Sequence, residues 1–248
     1  MAEITAQAVN EFRKRTGLGL MECKALLKEA GGDLQKAETL AKEKGVKTAA
    51  GRAGRATNAG RIEVVFSPDA RSGAIIELNC ETDFVARNDE FRQTSKELAE
   101  HILKTGADGN LLDQKYASDP SKTLQQVITE LNARTGENVA LPRAARFQVQ
   151  GSGRVDAYIH HDAKSGAMVE VKTADDASAD SDAVKQLVKD LALQVVAAKP
   201  LGVNRDDVPK TQVEEQSRIF ATQVENQQQG KPENIRSKIA EGMLNKWF

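Results

Sequence analysis

The chain has 248 residues, of which 40% are hydrophobic, 29% charged and only 4% aromatic, as expected for a globular protein whose cores are mainly aliphatic. Its 35 basic and 36 acidic residues give a net charge of −1, which argues against non-specific nucleic-acid binding. No apolar run reaches the roughly 20 residues of a membrane helix, and the N-terminus has no apolar signal region, so we expect a cytoplasmic protein.

Residues 1–46 are predicted to form a small head of three short helices. Thr5 is a suitable cap for the first helix and Asp33 for the third. Gly31-Gly32 is expected to end the second helix, and Gly45 the third. The apolar residues that recur at helical spacing, and so should form the core of the head, are Val9, Phe12, Leu20, Cys23, Leu27, Ala30, Leu34, Ala37 and Leu40.

Residues 47–60 show no apolar periodicity and are rich in Gly, Ala and cations. This composition favours a flexible linker, with RNA contact by the cations as the alternative.

The most informative feature of the sequence is an internal repeat. Residues 60–78 (GRIEVVFSPDARSGAIIEL) align without gaps to residues 153–171 (GRVDAYIHHDAKSGAMVEV), with identity at 8 of 19 positions and a constant offset of 93. Each copy has the pattern of a strand, a turn, a second strand and a helix. The first of these helices should begin at Asn88 or Asp89, and the second near Ser181 or Asp182.

Two further regions are predicted to be ordered. Residues 122–137 have the periodicity of a helix, and residues 140–151 look like a strand that leads into the second hairpin. At the C-terminal end, two helix-prone stretches are separated by Gly230-Lys231-Pro232, which predicts an antiparallel helical arm.

The sequence therefore predicts an α+β fold: a three-helix head, a duplicated hairpin-plus-helix core with antiparallel sheets, and a C-terminal helical hairpin. The predicted domains are the head (1–46), the linker (47–60), core repeat one (61–142), core repeat two (143–205) and the arm (206–248).

No pattern of covalent catalysis or of a resident metal is present. The chain has no phosphate-binding GxxxxGK[ST] loop, no HExxH and no GxSxG. His160 and His161 are adjacent on a predicted strand, so they should point to opposite faces and not share a metal. Cys23 and Cys80 form no CxxC pair and are predicted to be buried and reduced. We therefore expect no enzyme activity, no cofactor and no metal site.

Comparison of the two copies points to one specialised segment. Thr82, Asp83, Phe84 and Val85 follow the second strand of the first copy, where the second copy has the polar and small residues 175–178. Structural positions should resemble each other between copies, and specialised ones should not. Phe84 is either packed under its own helix or an exposed side chain, braced by Asp83, that enters a pocket of a partner.

The turn after the first helix is a second candidate for partner binding. In Gly17-Leu18-Gly19-Leu20-Met21, the apolar side chains either belong to the core of the head or form an exposed surface between two glycines.

Two segments resemble the sequence signatures of the elongation factor Ts family. These are RTGLGLMECKALLKEAGGD (15–33) and NCETDFVARNDEF (79–91). The resemblance extends over essentially the whole chain and implies a translation factor that binds GDP-bound elongation factor Tu and expels the nucleotide without covalent chemistry. It implies no cofactor, no membrane and no direct nucleic-acid binding.

The resemblance also implies roles for particular residues. Thr82, Asp83, Phe84 and Val85 match the family loop that enters the GTPase domain and disturbs its Mg²⁺ site. The head is similar to a ubiquitin-associated (UBA) fold, in which Arg13, Leu20 and Met21 match partner contacts. His160 matches a histidine that contacts other domains of the partner, and the arm matches the coiled-coil region of the family.

Two alternatives stay open at this stage. The chain could instead be a non-catalytic adaptor whose head binds protein partners while the core acts as a scaffold. Family members also commonly continue past the arm into a strand-containing segment, whereas this sequence ends at Trp247-Phe248. We expect a naturally short lineage, a truncated chain, or terminal aromatics that dock on the core.

Overall fold

The computed structural model describes residues 4–248, which form an α+β fold of helices and small antiparallel sheets, as predicted. The α-helices are α1 (Ala6–Thr16), α2 (Leu20–Glu29), α3 (Leu34–Arg52), α4 (Asp83–Ala86), α5 (Asp89–Thr105), α6 (Leu124–Thr135), α7 (Asp176–Ala179), α8 (Asp182–Ala198), α9 (Lys210–Gln227) and α10 (Glu233–Trp247). The strands are β1 (Ala59–Phe66), β2 (Ser72–Cys80), β3 (Ala140–Gln148), β4 (Gly153–Ile159) and β5 (Gly166–Lys172). The chain divides into one compact unit that ends at Val196 and another from Ala197 to Phe248.

The head consists of α1, α2 and α3 around a small core, as the sequence predicts. Thr5 caps α1 and Asp33 caps α3, each through a side-chain oxygen that accepts backbone N–H groups. Gly17 ends α1 in the left-handed conformation. The buried core residues are Val9, Phe12, Leu18, Cys23, Leu26, Leu27, Ala30 and Ala37. Leu20, which was predicted to be in this core, is instead 47% exposed.

Helix α3 is longer than predicted. It continues through Gly45 to Arg52, so the predicted helix end at Gly45 is wrong, and the first part of the segment interpreted as a linker is helical. The extension packs against α6: the Arg52 guanidinium donates to the carbonyl of Asn132 (3.0 Å). Alanine and lysine favour helix, and this contact stabilises a segment that has no apolar periodicity of its own.

The internal repeat is reproduced element by element. Helices α4 and α5 lie 93 residues before α7 and α8, with the same lengths. Ala70 and its counterpart Ala163 both have positive φ, at 54° and 57°. The Ile62 N–H donates to the Ala163 carbonyl (2.7 Å), and the matching Val155 N–H donates to the Ala70 carbonyl (2.8 Å). The two copies therefore face each other across a pseudo-two-fold axis.

The first sheet has the order β1-β2-β3, and the second is the β4-β5 hairpin. Strand β3 pairs antiparallel with β2 along most of its length, so it belongs to the sheet of the first copy, although the predicted boundary between residues 142 and 143 divides it. One face of this sheet carries Ala74, Ile76 and Leu78, which are buried in the main core with α5 and α6.

The opposite face of the sheet packs against the second hairpin. Val64 and Ile75 contact a cluster that contains Val155 and Met168. Ile62, Val64 and Phe66 alternate along β1 as in a strand with a single buried face, whereas both faces of this sheet are covered. The hairpins can approach closely because Gly73 lies against Met168 and Val155, where an added Cβ would come within 3.0 Å of either side chain.

A buried polar network closes the far end of α5. His101 is almost fully buried; its Nε2 lies 2.9 Å from the Gln114 side-chain oxygen, and its Nδ1 accepts the N–H of Ala117 at 3.1 Å. Because Nδ1 is occupied as an acceptor, the ring is neutral and protonated on Nε2. Burial lowers the pKa of His101, and nearby Lys104 adds to this effect while the Gln114 hydrogen bond opposes it.

This network predicts a loss of stability in mild acid. The unfolded chain gains a proton below its ordinary pKa of 6.5, while the folded state resists protonation. The contribution of His101 to the free energy of unfolding is thus fully present above that pH and is lost as the pH falls through the lowered folded-state pKa. Urea denaturation at several pH values would measure this dependence. His101→Gln should remove it and the exposed His161→Gln should not; a pH profile unchanged in His101→Gln would contradict the assignment.

The second unit contains the two helices of the predicted arm. Helices α9 and α10 pack against each other, and Val224 is buried in this unit. The terminal aromatic residues contact each other and Arg205, which belongs to the same unit. The Trp247 and Phe248 ring centroids lie 5.3 Å apart, and the Arg205 guanidinium lies 4.9 Å from the Phe248 ring centroid.

Candidate functional site

The Thr-Asp-Phe-Val segment forms the start of the one-turn helix α4, where the resemblance to the family implies a loop. Thr82 is its N-cap, and the Thr82 hydroxyl accepts the N–H of Val85 at 3.4 Å. Val85 packs against the main core. Phe84 points away from it and is 90% exposed, so the alternative in which the ring lies under its own helix is wrong.

The second copy has the same helical turn without the aromatic side chain. Asp175 caps α7 by accepting the N–H of Ser178 at 2.7 Å, and Ala177 occupies the position that corresponds to Phe84. Because α7 folds as α4 does, the phenyl ring is not needed to form the turn. An exposed phenyl group that contributes nothing to its own fold is typical of a binding surface.

One support for α4 comes from the loop between α6 and β3. Glu137 Oε2 accepts the N–H groups of Glu81 and Thr82, each at 3.0 Å, and Glu137 Oε1 accepts the Thr82 hydroxyl at 2.6 Å. Hydrogen bonds to a carboxylate are stronger than those between neutral groups. Three of them at one carboxylate hold the N-terminal end of the Phe84 turn.

A second support comes from the turn of the opposite copy. Lys164 Nζ lies 3.0 Å from Asp83 Oδ1, and the corresponding Arg71 pairs with the corresponding Asp176. Hydrogen bonds from Ser152 and Arg71 keep the pKa of Asp176 below its usual value. Each copy therefore fixes the first residue of the short helix of the other copy. Asp83 is thus paired with Lys164, a partner that the sequence did not identify.

The cysteine behind this turn is chemically inert. The Cys80 thiol is buried and donates to the Thr82 carbonyl at 3.2 Å. Burial, together with the negative charge of Glu137, raises the pKa of Cys80 to about 11. The thiol is therefore protonated at neutral pH and cannot act as a nucleophile.

The predicted contact residues of the head lie at its surface. Arg13 is exposed in the last turn of α1, and Leu20 and Met21 begin α2 with 47% and 76% of their surfaces exposed. Leu18, from the same turn, is buried in the core of the head. Within residues 4–248, no hydrogen bond or ion pair links these three side chains to those of Thr82, Asp83, Phe84 or Val85.

The two adjacent histidines lie outside the strand on which they were predicted. Strand β4 ends at Ile159, so His160 and His161 lie in the turn and their rings are 4.2 Å apart, instead of pointing to opposite faces of a strand. His160 Nδ1 lies 3.1 Å from the Tyr158 hydroxyl. In the part of the chain that the structure describes, no group of three or more Cys, His, Asp or Glu side chains is placed to hold a metal.

Glu137 gave no signal in the sequence, since it lies 55 residues after Thr82 and in no recognisable motif. Lys164 could have been found, because the repeat places it opposite Arg71 in equivalent turns.

Across residues 4–248, no helix combines the length and the apolar character that crossing a bilayer requires.

Comparison with known proteins gives a consistent result. A family model described as "Elongation factor TS" matches residues 81–248. The chain is 38% identical to elongation factor Ts of Aquifex aeolicus, over 99% of this chain and 84% of the relative. It is 41% identical to elongation factor Ts of Clostridium acetobutylicum, over 99% of this chain and 78% of the relative, and 40% identical to that of Clostridium perfringens, over 98% and 78%.

Proposed function

The chain belongs to the elongation factor Ts family, and on this basis we propose that it binds GDP-bound elongation factor Tu and promotes release of the nucleotide. Membership makes it a translation elongation factor with the role of a nucleotide exchange factor. The finer proposal is that the exchange needs no covalent step and takes place in the cytoplasm, where translation occurs.

The observation that carries this proposal is the exposed Phe84 ring on a turn fixed from two sides. The ring is 90% exposed, while Glu137 and Lys164 hold the N-terminal end of its helix. A ring presented on a rigid turn can enter a pocket without first losing much conformational freedom. In the proposed complex, this pocket lies beside the Mg²⁺ and phosphates of the partner.

Displacing the supports of a magnesium ion is an effective way to weaken nucleotide binding. Mg²⁺ requires near-ideal octahedral geometry, so a small shift of its ligands costs much of the binding energy that the ion provides. The coupling is reciprocal: the factor by which this chain weakens GDP binding is the factor by which GDP weakens binding of the chain. Nucleotide and exchange factor therefore displace each other in turn.

Phe84 alone cannot supply the energy of this exchange. Shifting an equilibrium about 10⁴-fold needs about 5.5 kcal/mol of differential binding, whereas burying one phenylalanine contributes roughly 2–3 kcal/mol. We therefore propose further contacts through Arg13, Leu20 and Met21 of the head, and through His160 in the turn of the second copy. Leu20 and Met21 provide exposed apolar surface for this purpose.

The proposal predicts that small amounts of this protein accelerate release of labelled GDP from an excess of elongation factor Tu. The measurement is the rate of loss of a fluorescent GDP analogue in the presence of unlabelled nucleotide. Chelation of Mg²⁺ should itself speed release, and the chain should then add little. Absence of any acceleration would refute the proposed function, and an equal acceleration without Mg²⁺ would refute the route through the metal.

A further inference from the structure

Glu137 is connected through the Thr82 hydroxyl to the N–H of Val85, the residue that follows Phe84. The Thr82 hydroxyl donates to the Glu137 carboxylate (2.6 Å). Because its hydrogen points to Glu137, the Thr82 hydroxyl oxygen turns a lone pair towards the N–H of Val85 (3.4 Å). The carboxylate also binds the Thr82 backbone N–H. It therefore fixes both the backbone and the capping hydroxyl of the residue from which α4 starts.

The connection also runs in the opposite direction. Glu81, just before the capping residue, accepts the N–H of Asn138 through its own carboxylate at 2.6 Å. The Asn138 amide, which is buried, donates to the carbonyl of Arg55 at 2.9 Å, and the Arg55 guanidinium lies 3.4 Å from Glu81. We call this set of residues (Arg55, Glu81, Thr82, Glu137 and Asn138) the clasp. It joins the segment after α3, the α6–β3 loop and the turn that carries Phe84.

The second copy forms the equivalent helical turn with a different cap. Helix α7 has the length of α4, and its capping residue, Asp175, uses its own carboxylate. The first copy thus has an additional external carboxylate at the one short helix that presents a phenyl ring. The Glu137 carboxylate comes from the α6–β3 loop, so it ties the start of α4 to another part of the core as well as supporting its cap.

We propose that Glu137 is a positioning residue that sets the direction in which Phe84 leaves the protein surface, and thereby the rate of nucleotide release. This inference rests on the proposed function, in which Phe84 enters the partner. Glu137 acts through Thr82 and need not touch the partner or its nucleotide. A misdirected ring has to be reoriented at the cost of binding energy, and small displacements of a positioned group reduce rates severely.

The first test measures the clasp in the free protein, by amide hydrogen exchange of residues 81–86. In Glu137→Ala, the Glu81 and Thr82 N–H groups lose their acceptor, and we expect them to exchange about tenfold faster or more. Glu137→Gln keeps one acceptor oxygen and should be intermediate. Glu130→Ala is the matched control, because this carboxylate lies on neighbouring α6 and pairs with Lys122 (2.8 Å). Unchanged exchange in Glu137→Ala would overturn the proposal.

The second test is a double-mutant cycle on GDP release. Glu137→Ala should reduce the acceleration by about tenfold in the normal chain, and by less than about twofold when Phe84 is already Ala. A merely structural role would reduce the acceleration equally in both backgrounds, and that result would overturn the proposal. If the unmodified chain does not accelerate release, the proposed function fails, while the hydrogen-exchange test still decides whether the clasp holds the turn.

Discussion

Phe84→Ala is expected to slow the catalysed release of GDP from elongation factor Tu by roughly 30- to 100-fold. The lower end of this range corresponds to about 2 kcal/mol and the upper end to about 2.8 kcal/mol, within the roughly 2–3 kcal/mol that burial of a phenylalanine provides, because about 1.4 kcal/mol corresponds to a tenfold change. In the free protein the ring is 90% exposed, so its removal takes away very few contacts within the fold. The free energy of unfolding should therefore change by less than about 0.5 kcal/mol.

Two measurements decide this prediction: release of labelled GDP at several concentrations of the chain, and urea denaturation of the same preparations. Val203→Ala is a suitable control, since Val203 is an apolar side chain that is 94% exposed in the second unit and has no place in the proposed site. If Phe84→Ala accelerates GDP release as much as the unmodified chain does, the ring is not the group that disturbs the Mg²⁺ site. A loss of several kcal/mol in stability would instead mean that the ring belongs to the core.

The second large effect is expected from a matched pair of leucines, one in each copy. Leu98 in α5 is fully buried in the main core, whereas its counterpart Leu191 in α8 is 39% exposed. Leu98→Ala should cost about 3 kcal/mol, because it leaves a cavity among well-packed side chains. Leu191→Ala should cost less than about 1 kcal/mol, since the site is open to water on one side.

Thermal and urea denaturation of the two variants would test this difference. For a chain of this size, about 3 kcal/mol corresponds to a fall of roughly 6–12 °C in Tm, well outside experimental error. The comparison is controlled internally, because both changes remove the same atoms from equivalent positions in the repeat. Equal losses of stability would mean that α8 is as well covered as α5.

The sequence predicted the features that depend on local chemistry. Thr5, Asp33 and Asn88 cap helices at the expected positions because their side chains satisfy N–H groups only a few residues away. The constant offset of 93 predicted the elements of the second copy, since similar sequences make similar local structures. At the site, comparison of the copies was enough to single out Phe84.

The features that were missed depend on contacts distant in sequence. Helix α3 continues past Gly45 because Arg52 donates a hydrogen bond to Asn132 on α6. No pattern within residues 47–60 predicts that contact. Alternation along β1 shows that the strand has two kinds of face, but it does not show that a second hairpin covers the other one. Glu137 could not be predicted, because its role depends on where the α6–β3 loop lies.

The two hairpins exchange equivalent hydrogen bonds, between Ile62 and Ala163 and between Val155 and Ala70. They therefore pair as the two subunits of a homodimer would, but within one polypeptide. Association of its halves does not depend on protein concentration, because the tether keeps the local concentration high. Covalent fusion also removes the requirement that both halves be identical. A true dimer of this kind would display two exposed phenyl rings, whereas the fused pair has Phe84 on α4 and Ala177 on α7, and both short helices are kept.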